Sequence, residues 1–218
     1  MGKVNILGSN NSIFNHFIHE LRDINIQKDR MRFRRNLERC GEIIAYEISK
    51  QLDYSEVDLK TPLGEATANL LEEQPILATV LRAGLPLHQG ILNYFDGADN
   101  GFISAYRMHH KGNDFEIKVE YASCSDLQDK VLILSDPMLA SGNSMLLSYQ
   151  TLIEEFGEPK HTHIVSVIAS SEGLDYVKDE LPDNVTYWLG VVDDEMTAQS
   201  YIVPGLGDAG DLAFGSKS

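Results

Sequence analysis

Short apolar runs alternate with longer segments of helical spacing along most of this chain. Residues 131–134 form an uninterrupted apolar run, a pattern typical of a strand buried on both faces of a parallel sheet. Residues 145–156 then place apolar side chains at helical spacing, and Gly157 follows as a C-terminal stop. The same alternation predicts further strands at 75–81, 102–107, 161–169 and 185–192, and further helices at 87–95 and 172–180.

The N-terminal part of the chain is predicted to be a helical arm. Residues 11 to about 50 are helical in pattern, and the stretch 21–35 concentrates positive charge. A charge run of this kind is usually a solvated helix face, so no chemistry is assigned to it. Residues 54–71 then alternate apolar and polar residues around Pro62 and Gly64, which supply turn chemistry, and a hairpin at a sheet edge is predicted.

The middle of the chain holds a second predicted hairpin. Residues 109–125 are polar and weakly patterned, with alternation only at 115–121, and we interpret them as a flexible β-hairpin able to close over a site. Strands that alternate with helices predict a mainly parallel sheet with helices on both faces. Because the sequence has no internal repeat, low-complexity tract or linker, residues 1–218 are expected to form one α/β domain.

Composition and charge restrict the classes of partner. The 218 residues are 43% hydrophobic and 23% charged, which is ordinary for a globular protein. The net charge of −15 opposes a broad surface for nucleic acid or anionic membrane, and no apolar run is long enough to span a bilayer. The start of the sequence lacks a signal-peptide pattern, so a cytoplasmic location is expected. Cys40 and Cys124 are too few for a disulfide scaffold or a zinc site.

The strongest candidate for a binding site follows the strand at 131–134. Asp136 stands just beyond this strand, and a loop of small and hydroxylated residues, 140–144, leads into the next helix. Backbone N–H groups and the positive end of the helix dipole converge there, while Gly142 permits close approach of an anion. The loop matches neither a Walker A sequence nor the dinucleotide-binding pattern. An acid ahead of an anion cradle suits a sugar phosphate, and an ordinary strand–helix turn is the alternative.

Two arginines are predicted to lie at the same edge of the sheet. Arg82 and Arg107 each stand at the end of a predicted strand, and ligands of such sheets bind beyond the carboxyl ends of the strands. A single arginine at a strand end is more often a salt-bridge partner. Two of them beside an anion cradle favour a role in binding phosphate.

The tail of the chain is rich in residues that fix the backbone. Residues 201–211 carry three glycines, one proline and two acids, a composition that predicts a surface loop. A calcium loop is a poorer alternative, because Asp208 and Asp211 do not stand at alternate positions. A backbone fixed by proline and glycine can also present rigid N–H and C=O groups to the edge of a flat ligand.

These motifs together resemble those of the uracil phosphoribosyltransferase family. Residues 136–144 look like its loop for phosphoribosyl pyrophosphate (PRPP), with Ser141 in place of threonine and Asn143 in place of glycine. The sequences around Arg82 and Arg107 are also similar, and so is the tail. The similar motifs follow family order over nearly the whole chain.

The resemblance implies a fold, a reaction and a set of site residues. The fold is that of type I phosphoribosyltransferases, and the reaction transfers ribose 5-phosphate from PRPP to N1 of uracil, giving UMP and pyrophosphate. Mg²⁺ is the implied cofactor, held mainly by PRPP, and a homo-oligomer (dimer or tetramer) is expected. The tail at about 193–215 is implied to bind the base. The implied residues are Arg107, Asp136 and Asp208 for catalysis; Arg82, Arg107, Asp136, Pro137, Met138, Leu139, Ala140, Ser141, Gly142, Asn143, Ser144 and Asp208 for PRPP; and Ile202, Gly207, Asp208 and Ala209 for uracil.

Asn143 is the departure from the family pattern with the clearest structural consequence. A glycine in that place suggests either positive φ or a backbone pressed against phosphate. We expect positive φ, which asparagine tolerates better than most other residues. Pro86 and Leu212 are further departures, and Leu212 replaces a common basic residue. Two other functions stay open: a PRPP or nucleotide sensor without catalysis, and a transferase acting on another base.

Overall fold

The computed structural model describes residues 2–109 and 115–216, with the side chains of residues 105–118 outside that description. In chain order the strands are β1 (Lys3–Ile6), β2 (Tyr54–Thr61), β3 (Gly64–Leu71), β4 (Ile76–Leu81), β5 (Asn100–His109), β6 (Phe115–Ser123), β7 (Val131–Ser135), β8 (Met138–Leu139), β9 (His161–Ser170), β10 (Val185–Asp193), β11 (Glu195–Met196) and β12 (Ile202–Val203). The helices are α1 (Phe14–Arg22), α2 (Arg30–Ser49), α3 (Gly84–Leu92), α4 (Asn143–Phe156), α5 (Ser171–Glu180) and α6 (Ala209–Phe214), with a short 3-10 turn at Leu7–Ser9.

One mainly parallel sheet forms the centre of the protein. Within the described residues it has eight strands in the order β1-β10-β9-β7-β4-β5-β6, and β8 pairs with β9. All of these pairs are parallel except β5 with β6, which form an antiparallel hairpin. The predicted α/β architecture is therefore confirmed. The predicted flexibility of this hairpin concerns a tip that lies outside the described residues, and it stays a prediction.

The continuous apolar runs of the sequence follow from burial on both faces of the sheet. Successive strand side chains point to opposite faces, so Ile133 packs in one hydrophobic cluster while Leu132 and Leu134 pack in the other. Helices α1, α2, α3 and α6 cover the first face, and α4 and α5 cover the second. Both faces of β7 are buried, so polar side chains that act on a ligand can lie only at the ends of the strand.

Some predicted boundaries differ from the structure. Helix α3 begins at Gly84 and ends at Leu92, whereas the pattern predicts residues 87–95. The N-terminal arm consists of two helices, separated by a turn in which the Asp23 side chain accepts from the backbone N–H groups of Asn25 and Ile26. Strand β1 was not predicted, and it extends the sheet by pairing with β10.

The hairpin of β2 and β3 pairs as predicted, but it is a separate two-stranded sheet and not an edge of the main one. Its register joins Thr61 to Gly64 across the turn. Its apolar residues Val57, Leu59 and Leu70 are exposed, and the turn residue Leu63 is fully exposed. Within residues 2–109 and 115–216, no helix has both the length and the apolar character needed to cross a membrane.

Helices α2 and α3 approach each other closely through a pair of glycines. A Cβ atom on Gly41 would collide with the carbonyl oxygen of Leu87, and one on Gly90 would collide with the carbonyl oxygen of Glu38. In each case the obstacle is backbone of the neighbouring helix, so a side chain cannot be accommodated by a rotamer change. This contact fixes α3, and with it the loop between β4 and α3.

Gly90→Ala is expected to lower the free energy of unfolding by about 1–3 kcal/mol, because the added methyl group forces the two helices apart. Urea denaturation measures the change. Gly64→Ala is the matched control, since a Cβ atom there meets nothing within 4 Å. The control should change the free energy of unfolding by less than about 0.5 kcal/mol. Equal effects of the two substitutions would contradict the close approach.

Candidate active site

The parallel pairing of β4 and β7 places two of the predicted site residues at one edge of the sheet. Thr79 is opposite Ser135 in the register, so Arg82 and Asp136 both emerge beyond the carboxyl ends of their strands. Beneath them, Thr79 Oγ1 donates to the Ser135 carbonyl at 3.0 Å, and Ser135 Oγ donates to Thr79 Oγ1 at 2.9 Å. A Cβ atom on Gly84 would collide with Thr79 Oγ1. The loop after β4 therefore lies directly against the end of β7.

Asp136 is a half-buried carboxyl group with few compensating contacts. Its Oδ1 atom accepts from the backbone N–H of Met138 at 3.1 Å. Burial raises the pKa of Asp136 to about 7, and the hydrogen bond from Met138 lowers it only in part. Burial therefore disfavours the charged form of this carboxyl group relative to a carboxyl group in water.

The loop from β7 to α4 is held by glycine and by the neighbouring strand. Gly142 is the N-cap of α4 with φ +81°, and no side chain caps this end of the helix. A Cβ atom on Gly142 would lie 2.8 Å from Val177 Cγ1 and 2.9 Å from Tyr176 Cδ1. The Ser170 hydroxyl donates to the Ala140 carbonyl at 2.6 Å. The first backbone N–H groups of α4 therefore have no side-chain cap, and they lie at the position predicted to bind an anion.

The expectation of positive φ at Asn143 is wrong. Asn143 is the first residue of α4 and is exposed, and the non-glycine residues with positive φ in the described chain are Asp129 and Ser200. The left-handed turn falls one residue earlier, at Gly142. Asparagine at position 143 needs no special backbone conformation, because the turn is complete before the helix begins.

The tail combines a short strand, left-handed turns and a short helix. The Val203–Pro204 peptide bond is cis, and Gly205 and Gly207 have φ +54° and +96°. Asp208 is the N-cap of α6, where its Oδ1 atom accepts from the backbone N–H of Asp211 at 2.9 Å. The surface loop predicted from composition is thus more regular than expected.

Within the tail, buried and open positions alternate around the predicted uracil contacts. The side chains of Ile202 and Ala209 are buried in the core, whereas Gly207 is exposed and a Cβ atom on it would meet nothing within 4 Å. The buried residues Ile202 and Ala209 thus lie on either side of an exposed backbone position, Gly207. Such a stretch can present N–H and C=O groups to a flat ligand.

Arg82 connects the strand edge to the tail. Its Nη2 atom donates to the Gly215 carbonyl at 3.2 Å and lies 3.4 Å from Asp211 Oδ1. A Cβ atom on Gly210 would lie 3.2 Å from Asp208 Oδ1 and 3.8 Å from Arg82 Nη2. Arg82 and Asp208 therefore both approach the backbone at Gly210. Arg107 lies on β5, next to β4, and its side chain lies outside the description, so its role stays a prediction.

Comparison with known proteins assigns the chain to a family. The sequence model of the family named Uracil phosphoribosyltransferase matches residues 9–216. The chain belongs to this family. A uracil phosphoribosyltransferase of Porphyromonas gingivalis is 53% identical over 211 residues, which cover 97% of each chain. One of Methanothermobacter thermautotrophicus is 38% identical over 188 residues, 85% of each chain.

Solved structures agree with the uracil phosphoribosyltransferase assignment at the level of the fold. A protein from Aquifex aeolicus (AQ2163) superposes with a TM-score of 0.86 at 27% identity, covering 97% of this chain and 98% of its own. Adenine phosphoribosyltransferase from Trypanosoma brucei superposes with a TM-score of 0.53 at 12% identity, over 88% and 84% of the chains. The resemblance of the sequence motifs is confirmed, and with it the class of the enzyme, a pentosyltransferase.

The sequence patterns did not predict the contacts between the N-terminal arm and the tail. Asp193 accepts from the backbone N–H of Gly205 at 2.9 Å and pairs with Arg22 at the end of α1. Arg34 of α2 donates to the Ala213 carbonyl at 2.7 Å. The concentration of basic residues in the arm was the available signal, and it did not identify their partners.

Replacing Asp136 by asparagine tests its raised pKa. A folded pKa of about 7, above the ordinary value of about 4, means that the contribution of this carboxyl group to stability is full below about pH 4 and is lost as the pH rises through about 7. Asparagine has no proton to lose, so Asp136→Asn should raise the melting temperature more at pH 8 than at pH 4. Thermal unfolding at both pH values measures this difference.

Asp126→Asn is the matched control for that measurement. The exposed Asp126 side chain accepts from the backbone N–H of Gln128 at 3.0 Å, the same bond that Asp136 makes with Met138. The control should therefore change the melting temperature by a similar amount at both pH values. A pH-independent effect of Asp136→Asn would show that burial does not shift its titration.

Proposed function

We propose that this chain transfers the ribose 5-phosphate group of PRPP to N1 of uracil, giving UMP and pyrophosphate. The observation that carries the proposal is the contact of Arg82 with the tail, because it brings a phosphate-binding group beside the backbone that would bind the base. Membership of the uracil phosphoribosyltransferase family supports the same reaction. Residues 1–218 would act as one catalytic domain.

The PRPP end of the site would use the strand edge and the start of α4. The carboxylate of Asp136 accepts hydrogen bonds from the ribose hydroxyl groups, and the loop at 140–144 holds the 5′-phosphate. The uncapped N–H groups and the dipole of α4 favour an anion at this position. The PRPP-binding residues that we propose are Arg82, Arg107, Asp136, Pro137, Met138, Leu139, Ala140, Ser141, Gly142, Asn143, Ser144 and Asp208.

The base would lie against the open backbone of the tail. Uracil presents an N3–H donor between two carbonyl acceptors, whereas cytosine has an acceptor at N3 and an amino group at C4. A fixed pair of backbone C=O and N–H groups matches the first pattern and leaves polar groups unmatched with the second. The uracil-binding residues that we propose are Ile202, Gly207, Asp208 and Ala209.

Catalysis would depend on positioning and on charge. As the bond from C1 of the ribose to pyrophosphate breaks, the sugar gains positive charge and the leaving group gains negative charge. Arg82 and Arg107 stabilise the departing pyrophosphate, while Asp136 holds the ribose in place. Asp208 either orients the base or accepts the N1 proton that is released when the new C1–N1 bond forms.

Mg²⁺ fits this site as an ion carried by the substrate. Within the described parts of the chain, no group of three or more His, Cys, Asp or Glu side chains could hold a metal ion. The phosphate groups of PRPP would supply most of the oxygen atoms that Mg²⁺ prefers. When bound, the ion would offset negative charge on the pyrophosphate group.

Two further proposals concern the setting of the enzyme. We infer a homo-oligomer, a dimer or a tetramer, because the exposed apolar side chains of the β2–β3 hairpin, including Val57, Leu59 and Leu63, would gain from burial against another subunit. A cytoplasmic location, without nucleic acid or membrane as partner, is consistent with the net charge of −15.

The purified protein should form UMP from uracil and PRPP in the presence of Mg²⁺, with cytosine a very poor substrate. Unmatched polar groups at a buried base edge can discriminate by about 10⁴-fold in kcat/KM. Radiolabelled uracil and cytosine, with hypoxanthine and orotate as further bases, measure this ratio. Comparable values for cytosine would contradict the role of the tail, and absence of any product would favour a sensor.

Gly142→Ala and Asn143→Ala should differ strongly in their effect on PRPP. Alanine at position 142 meets both the left-handed backbone, at a cost of about 1–2 kcal/mol, and the side chains of Tyr176 and Val177. We expect its KM for PRPP to rise by about tenfold or more, because 1.4 kcal/mol corresponds to a factor of ten. Asn143→Ala keeps the backbone N–H that would bind the phosphate and changes only an exposed side chain, so its KM for PRPP should stay within about twofold. A larger effect at position 143 would contradict this assignment of the turn.

A further inference from the structure

An ion pair joins the N-terminal arm to Asp193, the last residue of β10, where the tail begins. Arg22 Nη2 lies 3.1 Å from Asp193 Oδ1 and 3.0 Å from Asp193 Oδ2. The exposed fractions of the two side chains are only 23% and 9%, so water screens this pair less than it would a surface pair. A carboxylate buried to this degree needs a charged partner, because removing that partner leaves an uncompensated buried charge.

The same carboxylate group holds the tail. Asp193 Oδ2 accepts from the backbone N–H of Gly205 at 2.9 Å. Gly205 has φ +54°, and a Cβ atom on it would collide with the carbonyl oxygen of Ile202, so this turn of the tail has little freedom. Strand β10 fixes the backbone of Asp193, Arg22 holds its carboxylate, and that carboxylate in turn holds the turn at Gly205.

A second side chain of the arm holds the next residue of the tail. Gln27 Nε2 donates to the Leu206 carbonyl at 3.2 Å, and it also donates to the carbonyls of Leu21 and Arg22 at 2.9 and 3.3 Å. Gln27 thereby connects the end of α1 to the tail. Consecutive tail residues, Gly205 by its N–H and Leu206 by its C=O, are fixed from the arm.

These two anchored residues lie between the proposed uracil contacts Ile202 and Gly207. The direction of the N–H and C=O groups at 207–209 follows from the backbone conformation just before them. A displacement of about 1 Å in a positioning element can cost about 100-fold in rate, and a base edge read by hydrogen bonds is equally sensitive. The arm is thus placed to control how well the tail matches uracil.

We propose that Arg22, Asp193 and Gln27 are positioning residues for uracil, acting through Gly205 and Leu206 and not by contact with the base. The inference rests on the proposed function, because it takes the tail as the uracil-binding segment. It assigns the arm a role in base affinity and in the discrimination of uracil from cytosine. Apart from Asp208, the residues proposed to bind PRPP lie on other elements, so the binding of PRPP should depend little on Arg22, Asp193 and Gln27.

Arg22→Ala and Arg32→Ala form a matched pair for the test. Arg32 also lies on the arm and also bonds both oxygen atoms of a carboxylate, with its Nε and Nη2 atoms 2.7 and 2.6 Å from those of Glu20. The Glu20 carboxylate is bonded to Arg32 and Asn36, both of the arm, and not to the tail. Both variants lose one arginine and one ion pair, and only Arg22→Ala removes the partner of a carboxylate that contacts the tail.

We expect Arg22→Ala to raise the KM for uracil by about tenfold and to reduce the ratio of kcat/KM for uracil over cytosine, with the KM for PRPP within about twofold of the wild type. Arg22→Lys should recover part of the loss, because an ammonium group can still pair with Asp193. Gln27→Ala, which removes a neutral hydrogen bond, should shift the same parameters in the same direction by a smaller factor. Arg32→Ala should leave both KM values within about twofold.

The outcomes separate this inference from the proposed function. Wild-type protein that forms no UMP from uracil would overturn the proposed function and the inference with it. Active wild-type protein together with unchanged uracil parameters in Arg22→Ala and Gln27→Ala would overturn the inference alone. A loss in Arg22→Ala that affects uracil and PRPP equally, or that Arg32→Ala reproduces, would indicate general destabilisation and would also overturn it. If Arg22→Ala does not fold, Arg22→Lys and Gln27→Ala decide between these outcomes.

Discussion

The parallel pairing of β4 with β7 is the constraint on which the site depends. Parallel strands carry whatever follows them to the same edge of the sheet, so this register places Arg82 and Asp136 together although 53 residues separate them along the chain. The buried hydroxyl groups of Thr79 and Ser135 satisfy each other between these strands and leave no uncompensated polar group beneath the site. Because helices cover both faces of the sheet, a ligand can bind only at the edge formed by the strand ends.

The fold was predictable where the local pattern and the tertiary structure agree. The apolar run at 131–134 identifies a doubly buried strand, because both faces of β7 are covered. Strand β1 escaped prediction because its polar–apolar alternation spans only four residues, and its backbone is ordered by non-local pairing with β10. The start of α3 was placed too late because Gly84 is a poor helix former, yet its missing side chain is what the contact with Thr79 requires.

The candidate site was likewise predictable only where a local sequence motif determines the structure. The cradle at 140–144 is a local motif, and its sequence was sufficient to predict a turn that leads into a helix. The sequence did not determine which residue of that turn is left-handed, because Gly142 and Asn143 are both residues that tolerate positive φ. Arg22 and Asp193 are 171 residues apart, and no local pattern links residues at such a separation. The arm therefore looked like a solvated basic face, although it anchors the tail.

The location of the charged groups explains how an acidic protein could bind a polyphosphate substrate. A net charge of −15 repels an anionic substrate at long range, so attraction must come from within the site. Burial raises the pKa of Asp136, which opposes the build-up of negative charge at the end of β7. Arg82 meanwhile rests against Asp211 and the Gly215 carbonyl, with more than a third of each of the two charged side chains exposed. Because exposed ion pairs contribute only about 0–1 kcal/mol, Arg82 can leave Asp211 for a phosphate group at little cost. In the proposed function, Arg82 would therefore be available to bind a phosphate group without a large loss of stability.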